Sequence, residues 1–293
     1  MAIIGITGAS GALGRRTAQL VLQTHPPEKV VLFSRTPDSL ADLTALGATA
    51  RQADFDQPDS LIESFRGIDV LLLVSTDAVG RRGPQQQAAI TAAAAAGVGR
   101  IAYTSTANAD KTFPARLRPL TDDHAATEKA LRTAGPSWTI LRNSLYLEAI
   151  SGGWAQAAAS GKLVTNNGSG RHAPIARDDC AGAAAAVLLG DGHDEKVYEI
   201  AGERLLDDAA VAAALASHHG RSVDVVSVPD VDYENGLLAA GLPAELASLL
   251  TGFGETIRAG LMQVPLGDTE KLIGRAPTSI EAFLAAGSAV RDG

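Results

Sequence analysis

Gly8, Gly11 and Gly14 recur every three residues in the stretch Thr7-Gly8-Ala9-Ser10-Gly11-Ala12-Leu13-Gly14. The apolar run Ala2–Thr7 precedes this turn, and a helical stretch continues beyond it through Thr17–Gln23. Each glycine has its own task in that setting. Gly8 permits the tight turn, Gly11 lets the backbone approach a pyrophosphate with no side chain in the way, and Gly14 allows close helix–strand contact. Free N–H groups and the positive end of the helix dipole then face the phosphates. The spacing alone is weak. Its position between a first strand and a first helix makes it a dinucleotide-binding turn rather than a flexible amino-terminal loop.

The next expected strand, Val30–Ser34, ends at Arg35. A carboxylate at this strand tip would accept hydrogen bonds from a ribose 2′-hydroxyl. An arginine suits a 2′-phosphate instead, so the expected cofactor is NADPH, with NADH weaker. The alternative is a solvated loop cation. Asp54, at the end of the third expected strand, either sits beside the adenine or forms a local turn. Asn143 follows another strand end, a usual place for ligand-facing polar groups.

The elements that must position these residues are legible in the first half. Apolar runs at Ala2–Thr7, Val30–Ser34, Ala48–Ala53, Val70–Val74, Arg100–Thr104 and Trp138–Leu141 alternate with helical stretches at Gly14–Gln23, Asp38–Leu46, Pro58–Phe65, Pro84–Ala96 and Asp122–Thr133. Continuous runs such as Val70–Val74 indicate strands buried on both faces. The alternation predicts an α/β, Rossmann-type, doubly wound parallel sheet, with ligands at the carboxyl ends of the strands. Residues 1–148 form the dinucleotide-binding domain in this reading, and 149–293 a smaller, mostly helical lobe with some segments returning to the sheet. Ser151–Ala159, Asp178–Leu189 and Leu206–His218 read as helices, and Val197–Ile200 and Val223–Val228 as strands. Thr278 to Glu281 reads as a capping box with Thr278 as N-cap. Trp154 and Phe253 read as core residues or as walls for a flat acceptor. Gly252-Phe253-Gly254 reads as a mobile loop or an ordinary turn.

The chain has 293 residues, 46% of them hydrophobic, enough for a large core. A net charge of −8 argues against binding a phosphate backbone. The single cysteine, Cys180, forms no intrachain disulfide and, flanked by acids and alanines, reads as a core residue. No metal-ligand spacing, signal peptide or membrane-length apolar run is present, so a soluble cytoplasmic protein, monomer or homodimer, is expected.

The turn TGASGALG, the strand end LFSRTP, the segments IAYTSTANAD and DDHAATEKAL, then WTILRNSLY and KLIGRAPTS, resemble the NmrA-like, atypical short-chain dehydrogenase/reductases, above all their quinone and triphenylmethane reductases. The likeness runs from Ile3 to about Phe283. It implies a Rossmann-type domain, NADPH as hydride donor, and a small lobe closing the pocket of an aromatic or quinone acceptor. By position, Thr7, Gly8, Ser10, Gly11, Ala12 and Leu13 would wrap the pyrophosphate, and Ser75 and Thr76 would line the ribose. Lys129 would bond the nicotinamide ribose. Asn143 and Tyr146 would lie beside the nicotinamide and the acceptor. Lys129 has an alternative as a solvated helix lysine, and Tyr146 as a core residue.

Ordinary short-chain dehydrogenases place a proton-donating tyrosine four residues before the lysine. Ala125 stands there in this chain. Ser105 occupies the place of the usual catalytic serine without a tyrosine to assist it, and His124 points about 100° away from Ala125 on a helix. Losing a positioned acid typically removes about 10²–10⁴-fold of rate. A quinone or a triarylmethyl cation needs no such acid, so the implied activity is an NADPH-dependent quinone-reductase type, with a dye or azo reductase as a variant. A cofactor-binding redox sensor without turnover is the competing reading, and an epimerase or dehydratase ranks below both. His172, after the turn Thr165–Gly170, is a candidate for the pocket border.

Overall fold

The computed structural model describes residues 1–78 and 80–287. Its main sheet contains β1 (Ile4–Ile6), β2 (Val30–Ser34), β3 (Thr49–Gln52), β4 (Val70–Leu73), β5 (Arg100–Thr106) and β6 (Ser137–Asn143), together with β8 (Lys196–Ile200). The order is β3-β2-β1-β4-β5-β6-β8, and every pairing is parallel. Position in the sheet explains the composition of each strand. Val70–Leu73 lies in the interior with all four residues buried, whereas the edge strand β3 carries Arg51 and Gln52 and is partly exposed.

Two apolar layers sandwich the sheet, as the strand–helix alternation predicts. On one face, α1 (Ala12–Leu22) and α8 (Arg177–Leu189) bring Val21, Ala183 and Val187 against Ile4, Leu32, Leu72 and Leu141. On the other, α3 (Pro58–Phe65), α4 (Arg82–Ala95) and α5 (Arg118–Arg132) bring Phe65, Ile90 and Leu131 against Phe33, Leu71 and Tyr103. The many alanines let α4 and α8 lie close to their neighbours: Ala89, Ala92 and Ala93 in one, and Ala181, Ala183 and Ala184 in the other, are buried. Cys180 is buried in this packing, and burial holds its thiol well above the ordinary range. The stretch Asp38–Leu46 is less regular than expected. A 3₁₀ turn at Pro37–Leu40 leads into the four-residue α2 (Ala41–Thr44).

Beyond residue 148 the chain divides. α8 and β8 complete the main sheet and its covering layer. The remainder comprises α6 (Leu147–Ile150), α7 (Trp154–Ser160), β7 (Lys162–Thr165), α9 (Asp208–His219), β9 (Asp224–Ser227), α10 (Asp230–Ala239), α11 (Ala244–Arg258), α12 (Asp268–Ile273) and α13 (Ile280–Ala285). β7 and β9 form a separate two-stranded parallel sheet. Trp154 is core: its ring meets Phe283 edge-on at 6.2 Å, among Val211 and Leu215.

Two local expectations are corrected. Gly252-Phe253-Gly254 is neither loop nor turn but lies inside α11. A Cβ on Gly254 would stand 1.8 Å from Asn166 Oδ1, and one on Gly252 would stand 2.9 Å from Arg116 Cβ. Close packing, not a bend, requires these glycines. Ser279, not Thr278, caps α13 by accepting from the Ala282 N–H at 3.1 Å. The Thr278 N–H instead donates to the buried carboxylate of Asp179, which also holds Arg275.

Candidate functional site

β1 lies between β2 and β4, so the connections leaving these strands run in opposite directions and open a crevice at the carboxyl ends. The glycine turn fills this switch point. Thr7 is buried; its N–H donates to Leu72 O at 3.0 Å and its Oγ1 accepts from the Val74 N–H at 2.9 Å, tying β1 to β4. Gly8 has φ +60, and its carbonyl accepts from the Gly11 N–H at 2.9 Å. A Cβ on Gly14 would stand 2.3 Å from Gly8 O, whereas one on Gly11 would meet only that oxygen, at 3.4 Å. Gly14 is therefore a packing glycine, and Gly11 leaves open an approach to the helix end. Gly8, Ser10, Gly11 and Ala12 are exposed while Leu13 and Gly14 are buried. The start of α1 carries no side-chain cap and no acid in its first turn. An uncapped helix end with an open backbone fits a dinucleotide pyrophosphate.

Ser34 Oγ donates to Ser10 Oγ at 3.2 Å, linking the tip of β2 to this turn. Arg35 follows directly and is exposed, and its guanidinium makes no ion pair among the described residues. Asp54 acts as a turn former, accepting from the Asp56 N–H at 3.1 Å and from Gln57 Nε2 at 3.3 Å. Ser75 is placed by its N–H bond to Thr104 Oγ1 at 2.9 Å, and Thr76 donates to Gln85 Oε1 at 2.9 Å. Both are half-buried at the mouth of β4.

The carboxyl ends of β5 and β6 supply the second part of the site. Asn143, which closes β6, is buried; its Nδ2 donates to the Tyr146 hydroxyl at 3.0 Å, and its Oδ1 has no partner among the described residues. Burial holds the partly buried Tyr146 phenol above its ordinary range, so it is neutral. Asn143 and Tyr146 are thus brought together, with one amide oxygen left to bind something else.

The Lys129 side chain makes no hydrogen bond or ion pair with them among the described residues. It lies on the exposed side of α5, and the preceding residue, Glu128, points inward. A helix turns about 100° per residue, and here that turn carries Lys129 out to solvent while Glu128 stays inside. Glu128 holds Arg142 in a bidentate pair at 2.9 and 2.8 Å and accepts from Ser105 Oγ at 2.7 Å. Arg142 also reaches Asp110 at 3.1 Å and Glu199 at 3.4 Å. Burial lifts Glu199 to about 7 against the pull of Arg142. This cluster locks the ends of β5, β6 and β8 together directly beside Asn143. It is not revealed by the H-x-x-T-E-K block, because the partners of Glu128 and Arg142 lie on other elements, 14 to 57 residues apart. Ser105 is consumed by it.

His124 is likewise internal. Arg82 can only donate, so Nε2 of His124 accepts its bond at 3.1 Å, and Nδ1 carries the proton toward the Tyr103 hydroxyl at 2.7 Å. Burial, assisted by Arg82, lowers its pKa to about 3. His172 is buried with both ring nitrogens unpartnered among the described residues, and burial lowers its pKa to about 4.

An apolar wall stands over the strand ends, formed by Ala107, Phe113, Leu145 and Met262 with the partly buried Phe253 and Leu261. Asn108, in the left-handed region at φ 52, fastens it by donating Nδ2 to Leu261 O at 2.8 Å and Gln263 O at 3.2 Å. A depression of about 630 Å³ at the opposite edge, around Met1, His25, Arg100 and Asp194, lies at the strand beginnings, away from the ligand end of such sheets. Among the described residues no group of three or more His, Cys, Asp or Glu is placed to hold a metal ion, and no helix is long and apolar enough to cross a membrane.

Comparison with known proteins agrees with this geometry. A family model described as NAD(P)H-binding matches residues 8–191. Quinone oxidoreductase 2 of Escherichia coli strain K12 is 36% identical over 95% of this chain and 96% of its own. The structure of the NADPH-dependent quinone oxidoreductase from Escherichia coli complexed with NADPH matches with a TM-score of 0.92 at 35% identity, over 97% of this chain and 99% of that one. Citrobacter triphenylmethane reductase complexed with NADP(H) matches with a TM-score of 0.91 at 31% identity, over the same shares. With the glycine turn, the sheet order and these likenesses in agreement, the chain belongs to the NAD(P)H-binding, NmrA-like family.

Proposed function

We propose that this protein is an NADPH-dependent reductase that delivers hydride to a quinone-like aromatic acceptor. One observation carries the choice of acceptor: among the described residues, the positions from which a short-chain dehydrogenase donates its proton hold no free donor. Ala125 stands in place of a tyrosine, Ser105 donates to Glu128, and the ring nitrogens of His124 are engaged by Arg82 and Tyr103. An alcohol dehydrogenase would lack its acid here, whereas a reduced quinone takes its proton from water. The likeness to quinone and triphenylmethane reductases supports the same class.

In this reading the exposed backbone of Gly8 and of Ser10 to Ala12 binds the pyrophosphate, Arg35 faces the 2′-phosphate, and Ser75 and Thr76 line the ribose. NADPH supplies the hydride when bound. Asn143 and Tyr146 orient the nicotinamide and the acceptor, and the wall that includes Phe113 and Met262 excludes water. The protein contributes proximity and orientation rather than acid–base catalysis. The test is a steady-state assay of purified protein with NADPH and a benzoquinone or naphthoquinone, following loss of the reduced-nicotinamide absorbance. Tight NADPH binding without oxidation by quinones, cationic dyes or azo dyes would reject the reductase and leave a redox sensor.

A further inference from the structure

Arg177 opens α8 at the carboxyl edge of the sheet, and its guanidinium carbon stands 5.4 Å from the centroid of the Tyr146 ring. That is within the range of a cation–π contact. Neighbouring arginines along this side are paired: Arg16 with Asp178, Arg15 with Asp42, and Arg275 with Asp179. The guanidinium of Arg177 has no ion pair among the described residues. The adjacent carboxylate, Glu148, is committed to the backbone N–H of Arg177, at 3.0 and 3.1 Å. The ring beneath the cation is held through its hydroxyl by Asn143, whose buried Oδ1 is unpartnered. A half-buried cation without a counter-ion among the described residues therefore sits on the aromatic ring, whose hydroxyl is held by an amide with a buried, unpartnered oxygen.

We propose that Arg177 determines acceptor specificity by stabilising the negative charge that develops on a reduced quinone, favouring neutral or anionic quinones over cationic dyes. The inference rests on the reductase reading above. The charge balance supplies the reason. When the nicotinamide C4–H bond breaks, the acceptor gains a hydrogen nucleus with two electrons, and the nicotinamide is left oxidised. A neutral quinone becomes a hydroquinone monoanion, with a bond to hydrogen at one oxygen and the charge on the ring system and the other oxygen. Water then protonates that oxygen. A triarylmethyl cation becomes a neutral hydrocarbon and has no charge for Arg177 to stabilise. Before transfer, the cationic dye and the guanidinium repel each other. Fixed charge aimed at a developing oxyanion is commonly a large catalytic term, with single donors worth about 10²–10³-fold.

The experiment compares wild type, Arg177→Gln and Arg177→Lys. It measures kcat/KM with a neutral naphthoquinone, a sulfonated naphthoquinone and a cationic triphenylmethane dye, and NADPH affinity by fluorescence titration. Because this cation is only partly buried, Arg177→Gln is expected to lower both quinone values by about 10-fold or more and to leave the dye value level or raised. Arg177→Lys should recover part of the quinone rate, and NADPH affinity should be unchanged in both. Equal losses for quinone and dye overturn the proposal, as does an unchanged ratio. A weakened NADPH affinity with an unchanged ratio makes Arg177 a cofactor-phosphate ligand and overturns it too. Wild-type protein that reduces no acceptor removes the reductase reading and this inference together. Active wild type with the same ratio in Arg177→Gln removes only this inference.

Discussion

His172→Leu should remove an acid weakness from the fold. The native imidazole is 3% exposed, has neither nitrogen hydrogen-bonded among the described residues, and has its pKa lowered by burial to about 4. An unfolded imidazole titrates at about 6.5. Between these values the unfolded chain takes up a proton that the native chain refuses. Stability therefore falls as pH falls through this window, by up to about 1.4 kcal/mol per pH unit. Integrating over the window gives a loss of about 2 kcal/mol at about pH 5 and almost none at about pH 8. Leucine has nearly the same volume and no titrating group. The variant should be at least as stable as wild type at the higher pH, since two unpartnered buried nitrogens are gone. Its advantage should grow by about 2 kcal/mol at the lower pH. His124, lowered to about 3, adds a loss of the same sign. Glu199, raised to about 7, has the opposite sign: its contribution is full below its unfolded pKa and is lost as pH rises through its folded one. Both groups are common to the two proteins and cancel in the difference. Urea unfolding at the two pH values measures it. A stability difference that is the same at both values refutes the reasoning.

Gly14→Ala should be severely destabilised because its Cβ would stand 2.3 Å from Gly8 O, whereas Gly11→Ala should keep the thermal midpoint near wild type and lose NADPH affinity by titration. Arg35→Ala should weaken NADPH far more than NADH; equal losses would remove the 2′-phosphate role. Glu128→Gln takes the bidentate carboxylate from the buried Arg142, which keeps Asp110 and Glu199, and should cost about 1.5–3 kcal/mol in denaturant unfolding. Lys129→Ala, on the exposed side of the same helix, should stay within about 0.5 kcal/mol of wild type in stability, so that a loss of NADPH affinity or turnover in this variant would report its contact with the nicotinamide ribose and wild-type kinetics would place it outside the site.

The parallel sheet, its alternating helices and the glycine turn were legible in the sequence because they are written in local patterns. Continuous apolar runs mark strands buried on both faces, and glycine at fixed offsets marks a backbone that must turn or be approached closely. The position of Arg35 was legible for the same reason, since it directly follows β2. What the tertiary structure decided was helical phase and distant pairing. The block that ends in Glu128 and Lys129 does not say which of the two turns inward. Arg142, 14 residues from Glu128, and Glu199, 57 residues further on, make that choice by meeting at the ends of β5, β6 and β8. The glycines at 252 and 254 read locally as a loop or a turn, yet they lie inside a helix whose neighbours Asn166 and Arg116, from elsewhere in the chain, leave no room for a Cβ. Arg177 carried no motif at all. Its place over Tyr146 arises because α8 begins where the chain returns to the carboxyl edge of the sheet. Local periodicity reports which residues are buried, but the partner each one meets is set by elements far apart in the chain, and so the fold could be read from the sequence while the charges around its crevice could not.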